Sequence, residues 1–490
     1  MDELKRKVSS GVRWTSINTI SATLIQLLEL AVLARLLGPE AFGLMAIISV
    51  ITGFAGVFSD LGLSSAVIQR KSPTREELST LYWINVGSGL IIFTLFALIA
   101  PLIATSFGST EITLMLPVAA LSFVVASFGA QFTALIHKQL RFDIVTKFTI
   151  VSSLIGMTVS VVLALYDYGV WALIWGNLGL TFSLTIMRIA WARTASMLPS
   201  LHFNWQDKRG YLSFGSYRVA SQFVSNLNSR IDQLLIGYLL GPVAVGYYNI
   251  AFRLAIAPST KINSILTTVA FPAFSSAQDN PGLLKRGFIK MIGFVTSANA
   301  PILVGLAALA PLLVPIFLGE QWRPSIPLVQ VLAFFSLLRS FENAAGSLIL
   351  AKGKADWAFY WNLSLTLLIP PVIFVVAQTN SILAICYSLV MLQAFRFLGH
   401  YGVFIRNIIG PCAKEYFKVI LMPVMLALCM GVLMFLVSRF SPMNSNMLVL
   451  SLAATVGICA YVILSFIFQK PLVTEFIAFF FDKPKRESLS

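Results

Sequence analysis

The chain has 490 residues, of which 57% are hydrophobic and 11% are charged, and its formal net charge is +15. An ordinary soluble domain carries about 25% charged residues, so this composition excludes one. The positive charge does not indicate nucleic-acid binding either, because the Lys and Arg residues lie in short segments between apolar runs rather than on one soluble face.

Apolar runs of about 20 residues, long enough to cross a bilayer as helices, recur along the whole chain. The first follows the basic start MDELKRKVSSGVRW and is too long for the h-region of a cleavable signal peptide. The sequence therefore predicts an all-α integral membrane protein with about fourteen spans. The predicted spans are 11–37, 42–68, 80–106, 113–137, 146–166, 168–190, 213–240, 244–275, 288–317, 326–350, 357–377, 382–404, 415–437 and 447–469.

The basic residues predict the orientation, because Lys and Arg in short loops stay on the cytoplasmic side. With a cytoplasmic N-terminus, the predicted outer loops hold only Arg323 and Arg439, and the other basic loop residues fall on the inner side. We therefore expect a multi-pass protein of the bacterial inner membrane with both termini in the cytoplasm.

An internal repeat divides the chain. Residues 33–47 read LARLLGPEAFGLMAI and residues 236–250 read IGYLLGPVAVGYYNI, sharing LLGPxAxG at an offset of 236 minus 33, or 203. Two parallel six-helix lobes around a central cavity are therefore expected, the arrangement used for alternating access. The predicted domains are an N-terminal lobe (1–207), a C-terminal lobe (208–410), an extra helix pair (411–470) and a cytoplasmic tail (471–490).

The shared motif also predicts a tight helical hairpin in each half. Gly38 and Gly241 are expected to end one helix in the left-handed conformation, and the following proline to begin the next. For the extra helix pair, contact with lipid, an extended groove and simple packing are all open, with packing favoured.

Ionisable side chains inside spans are candidate functional residues, because each costs about 2.5–3.5 kcal/mol near the bilayer centre. Basic residues outnumber acidic ones, which predicts a cationic cavity that selects an anionic substrate. Arginine in particular matches the planar geometry of phosphate and carboxylate oxygens. The predicted substrate-binding residues are Arg218, Arg230, Arg253, Lys261 and Arg339.

The remaining charges have other expected roles. Arg253 and Lys261 are the strongest substrate candidates, since no carboxylate lies near them in sequence, whereas Arg35 and Arg396 lie near span ends and are expected to snorkel. Partners for the other arginines are expected on neighbouring helices. The acidic residues Glu29, Asp60, Asp232 and Glu342 are either sites for a coupling H+ or Na+ or counter-charges to the arginines.

Polar side chains follow helical spacing on three spans, which places each set on one face. Such a face lines a cavity or forms a hydrogen-bonded seam between helices, and both interpretations are open. The sets are Arg218, Gln222, Ser225, Ser229 and Asp232; Asn249, Arg253, Thr260, Ser264 and Thr268; and Ser336, Arg339, Asn343 and Ser347.

Nothing in the sequence indicates an enzyme. No P-loop, HExxH or nucleophile elbow is present, and no metal or cofactor is expected. His137, His202 and His400 lie on the predicted inner side, where solvated or interfacial positions are expected. The cysteines lack CxxC spacing and are expected to pack.

Several segments together resemble the Wzx-type polysaccharide flippases of the multidrug/oligosaccharidyl-lipid/polysaccharide superfamily, and within it the colanic acid exporter group. They are SGVRW, FGLMAI, SDLGLSSAVIQRK, TLYWINVG, QFTALIHKQLRF, LLGP with GYYN, FPAFSSAQDN, LGEQWRPSIP and LLRSFENAAGSLILAK. The resemblance implies two six-helix lobes and a substrate of undecaprenyl pyrophosphate carrying an oligosaccharide repeat unit, flipped between leaflets. It implies no catalytic residues.

Three other readings compete with this one. A cation-coupled multidrug exporter and a lipid II flippase share the superfamily architecture, and a scaffold that recruits polymerase and chain-length machinery without moving a substrate is a third. The expected partners are the lipid-linked oligosaccharide, a coupling H+ or Na+, and that polymerase machinery.

Overall fold

The computed structural model describes residues 2–60, 62–70, 73–204, 211–441, 443, 445–471 and 474. Within these ranges it describes the side chains except at residues 2–9, 211–222, 224, 225, 228, 267–269, 271, 355, 358 and 365. The described part of the chain is helical and contains no strand. The helices are α1 (Asp2–Leu36), α2 (Pro39–Ser59), α3 (Leu63–Gln69), α4 (Arg75–Ser106), α5 (Ile112–Lys138), α6 (Phe142–Leu165), α7 (Val170–Thr194), α8 (Tyr211–Leu240), α9 (Pro242–Ser276), α10 (Pro281–Leu318), α11 (Ile326–Ala351), α12 (Ala355–Ala377), α13 (Ile382–Gly399), α14 (Arg406–Ile409), α15 (Ala413–Phe440) and α16 (Asn446–Phe468).

The predicted fold class is confirmed. All of these helices except the short α3 and α14 are long, and twelve helical segments of the described chain are long and apolar enough to cross a membrane. Helices α8 and α9, which have side chains outside the described residues, are not in that set. The protein is an all-α integral membrane protein.

Local sequence signals explain where several helices begin. At the start of α4, the Thr74 hydroxyl accepts a hydrogen bond from the Glu77 backbone N–H, and the Glu77 carboxylate accepts one from the Thr74 N–H. This reciprocal pair is a capping box. At the start of α10, the Asn280 side chain accepts from the Leu283 N–H, with proline at the first helical position.

The two LLGP hairpins differ in one detail from the prediction. Pro39 begins α2 and Pro242 begins α9, as expected. Gly241 is left-handed, with φ of 84°, but Gly38 is extended, with φ of −73° and ψ of 169°. The left-handed conformation predicted for Gly38 was therefore wrong, and its backbone imposes no requirement for glycine.

The span predicted at 42–68 is interrupted. Helix α2 ends at Ser59, Gly62 adopts a left-handed φ of 73°, and α3 begins at Leu63. The Asp60 carboxylate accepts hydrogen bonds from Ser64, at 2.6 Å from the hydroxyl and 3.2 Å from the backbone nitrogen. Asp60 thus satisfies a donor at the start of α3 that the helix itself leaves open.

The chain forms two compact units, Met1–Gly246 and Tyr247–Ser490. The first has a core of side chains from α3, α4 and α5, which includes Leu63, Leu81 and Phe132. The second is built around α10, whose Phe288 stacks on Tyr416 of α15. The predicted lobe boundary at 207/208 stays a prediction, because residues 205–210 lie outside the described chain.

The extra helix pair packs closely on the second unit. A Cβ added at Gly431 of α15 would lie 2.7 Å from the Val304 side chain of α10, and one at Gly457 of α16 would lie 2.5 Å from Met434. Interiors packed this closely leave no groove between the helices. This agrees with the packing role favoured from the sequence.

Candidate functional site

Helix α9 presents a buried polar face to α10 and α11. The hydroxyls of Ser259 and Ser336 lie 2.7 Å apart, and the Asn263 amide donates to the Ser340 carbonyl at 3.4 Å. Asn263 in turn accepts a hydrogen bond from Asn299 at 3.1 Å. These side chains are at most 5% exposed. The neutral polar residues on this face therefore form an inter-helix seam.

A different face of the same helix carries the cationic candidates. Arg253, Thr260, Lys261 and Ser264 are exposed on the second unit. Arg253 and Lys261 are separated by about 12 Å along the helix axis, at 1.5 Å per residue. Charged groups in a membrane span are costly against lipid, so this exposed face is a candidate lining for a water-filled cavity. We call Arg253, Thr260, Lys261 and Ser264 the α9 cationic face.

Arg230 lies in a contact between α8 and α2. Its Nη1 donates to the Ser49 carbonyl at 3.1 Å, and the neighbouring Asn226 amide donates to the Gly53 carbonyl at 3.4 Å. A Cβ at Gly53 would lie 3.1 Å from Arg230, so glycine makes room for the guanidinium. The structure therefore places Arg230 in a helix seam of the first unit.

The other predicted residues of the first unit are scattered. Asp232 is 8% exposed, and its carboxylate accepts from the Gln233 backbone N–H at 2.9 Å. Glu29 is half-buried on α1, and Asp60 caps α3. Arg218 lies on α8, but its side chain is outside the described residues. In the part of the chain that the structure describes, the Arg230 guanidinium donates to a backbone carbonyl rather than to one of these carboxylates.

Glu342 and Arg396 form a bidentate ion pair between α11 and α13. The guanidinium Nε and Nη2 lie 3.0 and 2.9 Å from the two carboxylate oxygens. The side chains are 13% and 10% exposed for Arg396 and Glu342. The expectation that Arg396 snorkels was wrong, because its charge is neutralised inside the protein. Arg339 is half-buried one turn before Glu342.

His400 was also misjudged from the sequence. The expected solvated or interfacial histidine is only 8% exposed, and it begins a π-helical turn (His400–Ile405) between α13 and α14. Its ring packs edge-on against Trp361, with the centroids 5.5 Å apart. One signal was available, because Gln393, Arg396 and His400 have spacings of three and four residues and so share a helix face.

Comparisons with known proteins agree with this fold. A family model described as polysaccharide biosynthesis protein matches residues 32–327. The teichuronic acid biosynthesis protein TuaB of Bacillus subtilis is 31% identical, over 93% of this chain and 94% of the relative. The lipopolysaccharide biosynthesis protein WzxC of Escherichia coli is 32% identical, over 87% of this chain and 86% of the relative.

Solved structures show the same architecture at low sequence identity. The lipid II flippase MurJ in an inward closed conformation superposes with a TM-score of 0.74 at 14% identity, over 94% of this chain and 100% of that one. An inward-facing transporter of the multidrug resistance MATE family gives 0.64 at 14% identity, over 81% of this chain and 98% of that one. The chain therefore belongs to the polysaccharide biosynthesis protein family, as a relative of WzxC and TuaB.

Proposed function

We propose that this protein flips an undecaprenyl-pyrophosphate-linked oligosaccharide repeat unit from the inner to the outer leaflet of the bacterial inner membrane. The similarity to TuaB and WzxC, both named for polysaccharide biosynthesis, supports a role in building an exported polysaccharide. A succinoglycan biosynthesis transport protein of Rhizobium meliloti, 23% identical over 96% of this chain and 94% of its own length, supports transport rather than catalysis.

The α9 cationic face is the observation that carries this proposal. A pyrophosphate has planar sets of anionic oxygens, which an Arg fork binds with two parallel hydrogen bonds and a Lys binds as a point charge. Arg253 supplies the fork and Lys261 supplies the point charge, and both lie on the same exposed surface with the hydroxyls of Thr260 and Ser264. A transporter for organic cations would need the opposite sign of charge.

The buried seam beneath this face gives it a rigid base. Ser259 and Asn263 tie α9 to α11 and α10 through hydrogen bonds that no solvent reaches. Sites on packed helices hold their side chains more accurately than sites on loops. The seam therefore fixes the direction in which Arg253 and Lys261 project.

The remaining parts of the proposal follow from the sequence. The internal repeat supports alternating access, and the distribution of basic residues supports cytoplasmic termini. The polysaccharide polymerase and chain-length machinery would receive the flipped unit on the outer side. A cation gradient would drive the cycle.

Leaflet-resolved labelling of lipid-linked oligosaccharide tests the proposal. In cells that lack this gene, the labelled unit should accumulate on the inner leaflet, and the restored gene should relieve the accumulation. An unchanged distribution would contradict the proposal. Rescue of cells depleted of their lipid II flippase would instead assign lipid II as the substrate.

A charge-removing variant tests the site within the same assay. Arg253→Gln combined with Lys261→Gln should abolish flipping while leaving the amount of folded protein unchanged, because both side chains are exposed. Lys414→Gln combined with Lys418→Gln removes two exposed positive charges from α15 and serves as the matched control. If the two double variants flip the substrate equally well, the α9 cationic face has no part in the mechanism.

A further inference from the structure

A buried polar cluster lies in the second unit, away from the α9 cationic face. Gln393, Arg396 and His400 occupy one side of α13 and its π-helical turn. Glu342 of α11 pairs with Arg396, and Trp361 of α12 packs on His400. We call these five residues the His400 cluster. Every member lies within a segment long and apolar enough to span the membrane.

Several polar atoms of the His400 cluster have no protein partner. His400 is more than nine-tenths buried, and neither Nδ1 nor Nε2 makes a hydrogen bond to the described residues. The Trp361 Nε1 is also buried without a hydrogen-bond partner among the described residues. Buried polar groups are nearly always hydrogen-bonded, and each exception needs an explanation. These atoms are therefore available to a proton or a small polar ligand.

The chemistry of the cluster selects a proton over an alkali cation. A hard cation needs several oxygen ligands, and the Glu342 carboxylate already accepts two hydrogen bonds from Arg396. An imidazole nitrogen, in contrast, binds a proton directly and is the side chain best suited to exchange one near neutral pH. The adjoining π-helical turn is an element that recurs at functional sites.

The titratable and charged groups near His400 are few. Arg396 lies one turn before it on the same helix face, and Glu342 of α11 pairs with Arg396. Arg339 lies near Glu342, and Tyr416 of α15 lies near Glu342 as well. Tyr401 and Cys412 are joined by a hydrogen bond from the Cys412 N–H to the tyrosine oxygen at 3.2 Å. Glu342 is the carboxylate that lies near both arginines.

We propose that His400 binds and releases one proton in each transport cycle. Uptake converts the neutral imidazole to an imidazolium, which adds one positive charge beside the paired Glu342 and Arg396. The imidazolium repels Arg396, so the bidentate pair weakens and α13 shifts relative to α11 at the π-helical turn. Release of the proton restores the pair.

Helix α11 links this proton site to the α9 cationic face. It carries Glu342 at one position and, less than two turns earlier, Ser336 and Ser340 of the seam with α9. A shift of α11 driven by Glu342 is therefore passed to the helix that bears Arg253 and Lys261. This step rests on the proposed flippase function, whereas proton binding by His400 does not.

Direct titration tests proton binding without any transport assay. His137→Gln with His202→Gln leaves His400 as the single histidine, since the chain has three. The imidazole carbon shifts of this variant, labelled on histidine and embedded in lipid, should change across about pH 4 to 9. Shifts that stay constant across that range would overturn the proposal, whatever the protein transports.

Transport in proteoliposomes tests the coupling, with a fluorescent polyprenyl pyrophosphate oligosaccharide as the probe. An imposed pH gradient should accelerate flipping by the wild-type protein, and His400→Gln should lose that acceleration while it still flips the probe without a gradient. His137→Gln, on α5, should behave as wild type. If the gradient still accelerates flipping by His400→Gln, the proposal is overturned. If neither the wild-type protein nor any variant flips the probe while His400 titrates as expected, the proposed function is contradicted instead.

Discussion

Gly43 of α2 packs directly against the carbonyl oxygen of Pro242, the first residue of α9. The same contact recurs in reverse, because Gly246 of α9 packs against the carbonyl oxygen of Pro39 at the start of α2. The two glycines and the two prolines are related by the same 203-residue offset (246 minus 43, and 242 minus 39). The repeated LLGPxAxG motif thus encodes a reciprocal contact between its own two copies.

Alanine at either glycine should destabilise the protein. The added Cβ would overlap a backbone carbonyl, which cannot rotate away as a side chain can. We expect Gly43→Ala and Gly246→Ala each to cost about 1–3 kcal/mol, the usual range for overpacking. Thermal unfolding of the purified protein in detergent measures the loss.

Gly87 provides the matched control. It lies inside α4, and a Cβ there would meet nothing within 4 Å. Gly87→Ala should be neutral or stabilise the helix by about 0.5–1 kcal/mol. Unfolding temperatures that fall equally in all three variants would mean that the hairpin contact contributes no specific stability.

Removing one partner of the Glu342–Arg396 pair should lower the free energy of unfolding far more than removing both partners. Arg396→Met leaves a buried carboxylate without its bidentate donor, and we expect a loss of about 3–5 kcal/mol. Adding Glu342→Gln should recover most of that loss, since the carboxylate that needed Arg396 is then gone. A double-mutant cycle from unfolding measurements gives the coupling between the two residues.

An exposed ion pair serves as the comparison for this cycle. Lys285 and Glu415 lie 2.9 Å apart, but their side chains are 27% and 57% exposed. Solvent screens such a pair, so Lys285→Met should cost about 1 kcal/mol at most. Coupling energies of similar size in the two pairs would contradict a buried role for Arg396.

The spans and the repeat could be predicted from the sequence because both depend on local pattern. A run of apolar residues forms a spanning helix whatever its neighbours are, and the LLGP motif fixes a hairpin within a few residues. The break after Ser59 is also local, with Asp60 and Gly62 supplying a cap and a left-handed residue. One continuous span was predicted at 42–68 because the residues on both sides of the break are apolar.

The partners of the intramembrane charges could not be predicted. Glu342 and Arg396 are 54 residues apart in the chain, and nothing in either helix specifies which neighbour it faces. The same holds for Arg230, whose acceptors are backbone carbonyls that every helix carries. His400 was misjudged because proximity to a predicted inner loop says nothing about the side chains that enclose it.

We expect Arg230 to be a structural residue rather than a substrate contact. Arg230→Gln shortens the side chain and removes the hydrogen bond to the Ser49 carbonyl, with an expected loss of about 1.5–3 kcal/mol in unfolding free energy. Arg193→Gln, at an exposed position in the last turn of α7, should leave stability unchanged. If Arg230→Gln loses flipping while its stability is unaltered, Arg230 is a substrate contact.

Asp60 distinguishes a helix cap from an ion-coupling site. An asparagine side chain keeps an oxygen that can accept from Ser64, whereas alanine has none and should cost about 1 kcal/mol for the lost hydrogen bonds. Because Asp60 accepts its hydrogen bonds from Ser64 at the start of α3, Asp60→Asn should keep both stability and flipping, and Asp60→Ala should lose stability. If Asp60 were an ion-coupling carboxylate, Asp60→Asn and Asp60→Ala would lose gradient-driven flipping equally, because neither variant carries the negative charge. Flipping and thermal unfolding measured on the same preparations of the two variants separate these outcomes.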